Sequence, residues 1–451
     1  MSSKLKGEQS QTESAVEPRI IAAEDHAITP DKIDKDALFV LKKLSDAGFC
    51  GYLVGGGVRD LYLAKTPKDF DISTDARPGQ LRKLFPNSNT IGRRFRLVQV
   101  FFKGGKTIEV STLRSLSEHD LDGPEAVLAP NNTFGTLSED ARRRDLTINS
   151  LFYEIENNTI IDYVNGIKDL DNAVIRMVGD PVRRIHRDPV RMLRAIRHSA
   201  RNNFTIEKAS WRAITKNCDK LKQCPPSRLR DEILKDLYSG TSAPWFRHAV
   251  KSGIFTSLFP LYKDLIASSD HSAGSPISQL TNIFTTVDRI NTLAQKKKIH
   301  RQPDYVLFAL LLIPWVEHQF QIFSIPRKGT PLFKLSKLIR AEIDNTIGID
   351  LNLRRSLRQE IVNLLTNLSL LIHNKEDGNW PKWLTKKSYF PKTVLFYNLF
   401  TEATTGIPVP QHFLETTPPA QRFKQIRRGH GCRTRPSFST QTKGGIFGFK
   451  K

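Results

Sequence analysis

The spacing of apolar and polar residues divides the chain into a mixed N-terminal part and a helical remainder. Between residues 34 and 47, apolar residues recur at the spacing of an amphipathic helix, at Ala37, Leu38, Val40, Leu41 and Leu44. Between residues 51 and 165, short strand-like stretches separated by glycines alternate with two helical stretches. Beyond about residue 180 the pattern is almost entirely helical. The pattern predicts an α+β fold, in which a head with a small sheet and helices precedes an all-helical neck and body.

The two ends of the chain lack a hydrophobic period. Residues 1–20 are rich in Ser, Gln and Glu, which is typical of a disordered arm. Residues 416–451 contain no acidic residue, and their lysines and arginines lie among Gly, Ser, Thr and Pro, as in a flexible basic tail. Between these ends we expect a head over residues 21–180, a helical neck over 181–245 and a helical body over 246–415.

The charge of the chain indicates a polyanionic partner. Its 451 residues include 69 Lys and Arg against 46 Asp and Glu, which gives a formal net charge of +23. Nucleic acid is the leading candidate, because neutralising phosphates releases condensed counterions, and an anionic membrane surface is the weaker one. The longest apolar run, Tyr305 to Trp315, is much shorter than the ~20 residues of a membrane-spanning helix and contains Pro314. We therefore expect a buried helix there and no membrane segment.

The N-terminus, the cysteines and one His-Asp pair argue against a secreted protein, a disulfide or zinc framework and a hydrolase metal site. The first residues lack the apolar segment of a secretory signal, so we expect a cytoplasmic location. The spacing of the four cysteines, Cys50, Cys218, Cys224 and Cys432, fits neither a disulfide framework nor a zinc site. His119-Asp120 has no spaced His/Asp partners, so we interpret it as part of a loop and not as a hydrolase metal site.

A glycine run suggests a first functional element. The apolar stretch 51–54 predicts a strand, Gly55-Gly56-Gly57 follows, and a helix is predicted from Val58 onward. A strand that leads through glycines into a helix N-terminus can bind an anion, since free N–H groups point at the ligand, and Arg59 adds a positive charge. The alternative interpretation is a simple glycine-rich turn.

Carboxylates follow on two predicted strands. A strand over 68–72 would place Asp69 and Asp71 on one face, where a shared divalent cation relieves their repulsion. A hairpin turn at Gly104-Gly105 returns into a strand in which Ile108 and Val110 face the core and Glu109 the opposite side. Glu109 is then a candidate third carboxylate. The alternatives are a pair of solvated aspartates and an ordinary polar strand face.

Two predicted helices carry arginines and aspartates. Thr136 to Glu139 has the pattern of a capping box that opens a helix continuing through Asp145 to Leu151. Its arginines either bind triphosphate oxygens or form ion pairs within the helix. A second helix begins at Asp188-Pro189. Asp188 and Arg191 either face a base, since adenine and cytosine pair an amino donor with a ring-nitrogen acceptor, or Asp188 only caps the helix.

The order of five motifs resembles one known family. LVGGGVRD, PKDFDIST, IEVSTLR, EDARRRDLTINSL and DPVRMLRAIR are similar to motifs of the bacterial class II nucleotidyltransferases, which include CCA-adding tRNA enzymes and bacterial poly(A) polymerases. The resemblance covers about residues 20–240. It implies a nucleotidyltransferase head, a catalytic metal-binding pair at Asp69 and Asp71, and further catalytic-set carboxylates at Asp145 and Glu109, with Glu109 as a metal ligand. It also implies nucleotide-binding roles for Gly56, Gly57, Arg59, Arg143, Arg144, Asp188, Arg191 and Arg194.

Smaller features resemble the poly(A) polymerase branch of the family. The stretch IGRRFRLVQV at residues 91–100, the segment RIIAAEDHAI at residues 19–28 and the basic C-terminal arm resemble poly(A) polymerases. Arg187 departs from the Glu that the family usually has before Asp-Pro. The resemblance implies template-independent addition of AMP from ATP to RNA 3′ ends with two Mg²⁺ ions. CCA addition to tRNA and a non-catalytic RNA-binding role remain alternatives, and partners from RNA decay or RNA chaperones remain open.

Overall fold

The computed structural model describes residues 17–92, 96–115, 133–269, 272, 274–375 and 379–415. Most of the predicted N-terminal arm and the whole predicted basic tail lie outside the described residues. The same holds for Arg93-Arg94-Phe95, on which the branch assignment partly rests, and for His119-Asp120.

The head contains an eight-stranded sheet, which is larger than the small sheet expected. Its strand order is β1-β8-β7-β2-β3-β6-β5-β4, and only β3 and β6 pair in parallel. The strands are β1 Arg19–Ile21, β2 Gly51–Val54, β3 Asp71–Thr74, β4 Ser88–Ile91, β5 Leu97–Phe101, β6 Thr107–Thr112, β7 Leu151–Glu154 and β8 Thr159–Asp162. Edge strand β1 pairs with β8 and buries Ile21, so the predicted disordered arm is wrong for its last two residues.

Five α-helices accompany the sheet in the described part of the head. They are α1 Lys35–Asp46, α2 Gly56–Tyr62, α3 Pro78–Leu84, α4 Leu137–Arg143 and α5 Gly166–Asp171. The predicted amphipathic helix is confirmed in α1, where Asp34 caps the N-terminus by accepting the backbone N–H of Asp36 at 2.9 Å. Its apolar face packs into the core, where Ala37, Val40, Leu41 and Leu44 are buried.

The predicted hairpin between β5 and β6 is present. Gly104 and Gly105 have φ of 77° and 79°, a left-handed conformation that glycine adopts without steric cost. Ile108 and Val110 are buried, and Glu109 points to the other side of the sheet. Because β6 pairs in parallel with β3, Glu109 is the direct neighbour of Asp71.

Within the described residues, the neck and body are helical apart from one named strand of two residues. This strand, β10 (Thr205–Ile206), pairs in parallel with β9 (Val174–Ile175) at the end of the head, so the expected all-helical neck contains one short strand. The helices are α6 Pro181–Arg187, α7 Val190–Asn202, α8 Lys208–Asn217, α9 Pro226–Leu237, α10 Ser242–Lys251, α11 Ile254–Leu258, α12 Lys263–Ala267, α13 Pro276–Lys297, α14 Asp304–Phe320, α15 Thr330–Asn345, α16 Ile347–Asp350, α17 Arg355–His373, α18 Lys382–Thr385, α19 Phe390–Thr405 and α20 Gln411–Glu415.

One hydrophobic core connects head, neck and body. A single cluster of buried apolar side chains extends from Ile21 in the head to Leu414 near the end of the described chain. Helix α14 passes through it, with Val306 to Val316 buried, as expected for the apolar run that contains Pro314. Within the described residues, each helix is too short or too polar to cross a lipid bilayer. The continuous core holds the sheet at a fixed position relative to the neck helices.

Candidate active site

A cleft of about 920 Å³ lies between the sheet and the neck helices. The structure brings all twelve residues singled out from the sequence to its walls. They are Gly56, Gly57, Arg59, Asp69, Asp71, Glu109, Arg143, Arg144, Asp145, Asp188, Arg191 and Arg194. Their positions support one common site, and the role of each residue stays a prediction.

The acidic wall of the cleft is formed by Asp69, Asp71 and Glu109. Asp71 is the first residue of β3, so the strand predicted from residue 68 is wrong at its start and Asp69 lies in the preceding loop. This loop packs against α2, where an added Cβ on Gly57 would lie 3.3 Å from the backbone oxygen of Asp69. Partial burial, reinforced by the Glu109 carboxylate, raises the pKa of Asp71 to about 6.

The acidic wall fits a divalent cation by its chemistry. The three carboxylates supply only oxygen ligands, the type that Mg²⁺ prefers. Burial is the main cause of the raised pKa of Asp71, and a cation would relieve the further repulsion from Glu109. Within the described residues, however, no three His, Cys, Asp or Glu side chains are arranged as a ready-made metal cluster. Glu109 accepts a hydrogen bond from Gln99 Nε2 at 3.0 Å. The assignment of Asp69, Asp71 and Glu109 as metal ligands therefore stays a prediction.

Two arginines of the cleft are held by one carboxylate that the sequence pattern did not single out. Arg143 and Arg144 both bind Asp140, which is fully buried, with Nε distances of 2.8 Å and 3.1 Å. Although burial raises the pKa of Asp140, the two guanidinium groups lower it below its usual value. Asp140 precedes the two arginines by three and four residues, a helical spacing from which the contact was predictable.

Arg59 lies on α2, which begins within the glycine run at Gly56, two residues before the predicted start at Val58. It is only 5% exposed and donates to Asp60 Oδ1 at 2.7 Å and to Asn149 Oδ1 at 2.7 Å. His198 Nδ1 lies 3.1 Å from the same guanidinium. Burial and the neighbouring Arg59 lower the pKa of His198 to about 3, so this imidazole is neutral at pH 7. Arg59 thus ties α2 to α7, and no motif in the sequence pointed to His198.

The helix that carries the arginines is shorter than predicted. Helix α4 begins at the expected capping box, in which Thr136 and Glu139 bond each other's backbone N–H, but it ends at Arg143 and not at Leu151. Asp145 lies beyond the helix and accepts the backbone N–H of Leu146 at 2.8 Å, an alternative to helical bonding. Its other oxygen accepts from Arg194 at 3.2 Å. Burial would raise the pKa of Asp145, but Arg194 holds it well below its usual range.

Asp188 does not cap the next helix. Helix α7 begins at Val190 without a side-chain cap, so the capping interpretation is wrong at this position. The Asp188 Oδ2 instead accepts from Arg228 on α9 at 2.8 Å, and a long-range contact of this kind leaves no sequence signal. Arg191 donates to the backbone oxygen of Arg143 at 3.2 Å, which connects α7 to the end of α4. Asp188 and Arg191 both line the cleft.

Sequence reasoning missed several cations of the lining. They come from the loop before β3, from α7, from α9 and from the segment between α13 and α14, namely Lys68, Arg197, Arg201, Arg228, Lys235 and Arg301. Arg197 is buried and bonds Asp236 Oδ2 at 3.1 Å, which makes it part of the connection between α7 and α9. Because these residues are far apart in the sequence, only the fold brings them together.

The chain matches two known domain families and several curated bacterial proteins. Residues 51–176 match the family described as Poly A polymerase head domain, and residues 203–266 match Probable RNA and SrmB- binding site of polymerase A. The chain is 39% identical to Poly(A) polymerase I of Salmonella typhi over 323 residues, which are 69% of this chain and 68% of that protein. It is 37% identical to Poly(A) polymerase I of Haemophilus influenzae over 318 residues, 69% of each chain.

CCA-adding enzymes also match, over a shorter stretch or at lower identity. The chain is 41% identical to the CCA-adding enzyme of Lactobacillus helveticus over 207 residues, 46% of this chain and 50% of that one. The Bacillus stearothermophilus CCA-adding enzyme solved in complex with CTP superposes with a TM-score of 0.59 at 22% identity. This superposition covers 86% of this chain and 81% of that chain, and it confirms the fold of an α+β head followed by a helical neck and body.

The similarity to poly(A) polymerases is therefore the more extensive one. At 37–39% identity, this chain covers more than two thirds of the Salmonella typhi and Haemophilus influenzae proteins. The fold, the cleft and the motif order are consistent with the same relationship. On this evidence the chain belongs to the bacterial poly(A) polymerase family of nucleotidyltransferases.

Proposed function

We propose that the protein is a template-independent polymerase that adds AMP from ATP to RNA 3′ ends. One observation carries the proposal: relatives called Poly(A) polymerase I align over 69% of the chain, whereas the CCA-adding enzyme of Lactobacillus helveticus aligns over 46%. The substrates, RNA and ATP, favour a cytoplasmic location. Partners from RNA decay or RNA chaperones stay a prediction.

Asp69 and Asp71 are the residues proposed to hold Mg²⁺, with Glu109 as a further carboxylate beside Asp71. When bound, the metal supplies charge neutralisation for the triphosphate and activation of the attacking 3′-hydroxyl. The protein's own contribution is then to position charge, which is how nucleotidyl and phosphoryl transfer are generally catalysed. Gly57 seats the loop that carries Asp69, since it leaves room for the Asp69 backbone oxygen.

The arginines on the other wall contribute fixed positive charge. Asp140 holds Arg143 and Arg144 in one orientation, so their positive charges are fixed at the cleft wall and require no reorganisation when a triphosphate binds. Arg194 and Asp145 form an ion pair that links α7 to the end of α4. We propose that Asp145 acts mainly by orienting Arg194, and that both lie near the bound nucleotide.

Asp188 and Arg191 are proposed to select adenine. The adenine edge pairs an amino donor with a ring-nitrogen acceptor, which a carboxylate and a guanidinium complement. Arg228 binds one carboxylate oxygen of Asp188 and leaves the other, Oδ1, without a hydrogen-bond partner within the described residues. An unpaired buried acceptor is costly, and an amino group of the base would satisfy it.

The test incubates purified protein with Mg²⁺, a generic RNA without a tRNA-like end and each NTP separately. We expect long extension with ATP alone and little incorporation from CTP, GTP or UTP. Addition of only two cytidines and one adenosine, followed by arrest, would establish CCA addition instead. RNA binding without any incorporation would identify a non-catalytic protein.

A further inference from the structure

Most cations that line the cleft are already neutralised by a carboxylate. Ion pairs join Arg59 to Asp60, Arg144 to Asp140, Arg194 to Asp145, Arg197 to Asp236 and Arg228 to Asp188. Three lining residues differ: within the described chain, no ion pair joins Lys68, Arg201 or Arg301 to an acid, and all three are exposed. Their charge is therefore available to an external anion.

The three cations come from three different parts of the fold. Lys68 precedes Asp69 in the loop before β3, Arg201 lies in the last turn of α7, and Arg301 lies between α13 and α14. The Arg301 guanidinium lies 5.6 Å from the ring centre of Tyr238, and the Tyr238 hydroxyl is 2.7 Å from Asp304 Oδ1. These contacts fix the segment before α14 against the end of α9.

Lys68, Arg201 and Arg301 line one cleft, so their positive charges face the same space. Charges of the same sign repel each other, and a shared phosphate removes that repulsion while forming charge-assisted hydrogen bonds. This cluster of three cations is therefore suited to bind an anion.

We propose that Lys68, Arg201 and Arg301 bind the backbone phosphates next to the 3′ end of the RNA. This rests on the proposed function, because it assigns the position of its RNA substrate. Lys68 directly precedes Asp69, beside which the attacking 3′-hydroxyl must lie, and all three cations are exposed to solvent. The residues proposed for ATP lie at the glycine run, at the end of α4 and at the start of α7.

The proposal is tested by RNA binding without ATP, so the result does not depend on catalysis. A 5′-labelled single-stranded RNA is titrated with protein over a series of salt concentrations and followed by fluorescence anisotropy. Arg201→Gln and Arg301→Gln should each weaken binding and flatten the plot of log K against log salt by about 0.7, the contribution of one single-strand phosphate contact. Lys334→Gln, an exposed charge on α15 outside the cleft, should leave the slope unchanged.

Two further experiments refine the test. The first asks whether Arg301 acts by its charge or by stacking on Tyr238, and the second asks whether the cations bind an RNA end or RNA in general. Arg301→Lys should keep the slope, whereas a decrease equal to that of Arg301→Gln would mean that the stacking of Arg301 on Tyr238 matters and not its charge. A circular RNA of the same sequence has no end to insert, so Arg301→Gln should not change its binding. Equal weakening with circular and linear RNA would place these cations on a general RNA surface and overturn the proposal.

Steady-state kinetics distinguish RNA phosphates from those of ATP. If the proposal holds, the Gln variants raise KM for RNA and leave KM for ATP unchanged. A raised KM for ATP with an unchanged RNA salt slope would assign the cluster to the triphosphate and overturn it. If the wild-type protein binds RNA by its end but incorporates no nucleotide, the proposed function fails while the binding site stands.

Discussion

At the scale of single residues, the cleft is organised by ion pairs. Asp140 binds two arginines of its own segment, whereas Asp145 binds Arg194, 49 residues later, and Asp188 binds Arg228, 40 residues later. A guanidinium held by a carboxylate keeps a fixed plane, so its remaining N–H groups point in defined directions. The acidic wall is different, because Asp69 and Asp71 have no arginine in an ion pair with them among the described residues. This asymmetry leaves the acidic wall open to a cation.

The first prediction concerns the acidic wall. Asp69→Ala or Asp71→Ala should abolish nucleotide addition, because loss of a ligand removes several kcal/mol of charge stabilisation supplied by a metal. Turnover is measured by incorporation of labelled AMP, and folding by circular dichroism. Asp219→Ala, which removes an exposed carboxylate outside the cleft, serves as the control. Turnover within about tenfold of wild type in either cleft variant would contradict the assignment of the pair as metal ligands.

The second prediction concerns selection of the base. Asp188→Ala should relax the preference for ATP over GTP and UTP, because a good bidentate base contact contributes about 1–3 kcal/mol of discrimination. Arg228→Gln should also relax the preference for ATP, but by a smaller factor, because it only frees the Asp188 carboxylate to rotate. NTP preference and thermal melting are measured on the same samples. Lowered stability with unchanged NTP preference would reduce Asp188 to an ion-pair partner of Arg228.

At the scale of helices and strands, elements with local signals were predictable and those set by distant contacts were not. Helix α1, the hairpin at Gly104-Gly105 and the start of α4 depend on spacing and caps within a few residues, and the structure confirms them. The end of α4 is different, because Asp145 leaves the helix to bind Arg194, 49 residues later. Likewise, β3 begins late because the loop with Asp69 packs on α2.

The third prediction tests this packing of a loop on a helix. Gly57→Ala adds a Cβ 3.3 Å from the Asp69 backbone oxygen, so the loop must shift by a few tenths of an ångström. We expect kcat to fall by about tenfold or more, since small displacements of catalytic groups are costly. The matched control is Gly79→Ala in α3, where no atom lies within 4 Å of the added Cβ. If both variants keep full activity, the position of Asp69 does not depend on Gly57.

At the scale of the whole molecule, the continuous core and the uneven charge act together. The buried cluster from Ile21 to Leu414 fixes head, neck and body around one cleft, so that distant residues such as Lys68 and Arg301 face the same space. The sequence motifs predicted twelve cleft residues because these lie in short, contiguous patterns. The cations contributed by α9 and by the segment before α14 were not predictable, since only the packing of the helices determines where they lie.

The last prediction concerns the net charge of +23 and the segment 416–451, which carries nine Lys and Arg and no acid. We expect this segment to supply non-specific RNA affinity, because its charges have no acidic neighbours in the sequence. Deleting it should weaken RNA binding, flatten the salt dependence by about 0.7 for each phosphate that the segment neutralises, and raise KM for RNA with kcat nearly unchanged. A variant in which all nine lysines and arginines of the segment are replaced by Gln keeps the length of the chain and should behave like the deletion. An unchanged salt slope in both would mean that the folded part alone holds the RNA, and a fall in kcat would mean that the segment reaches the active site.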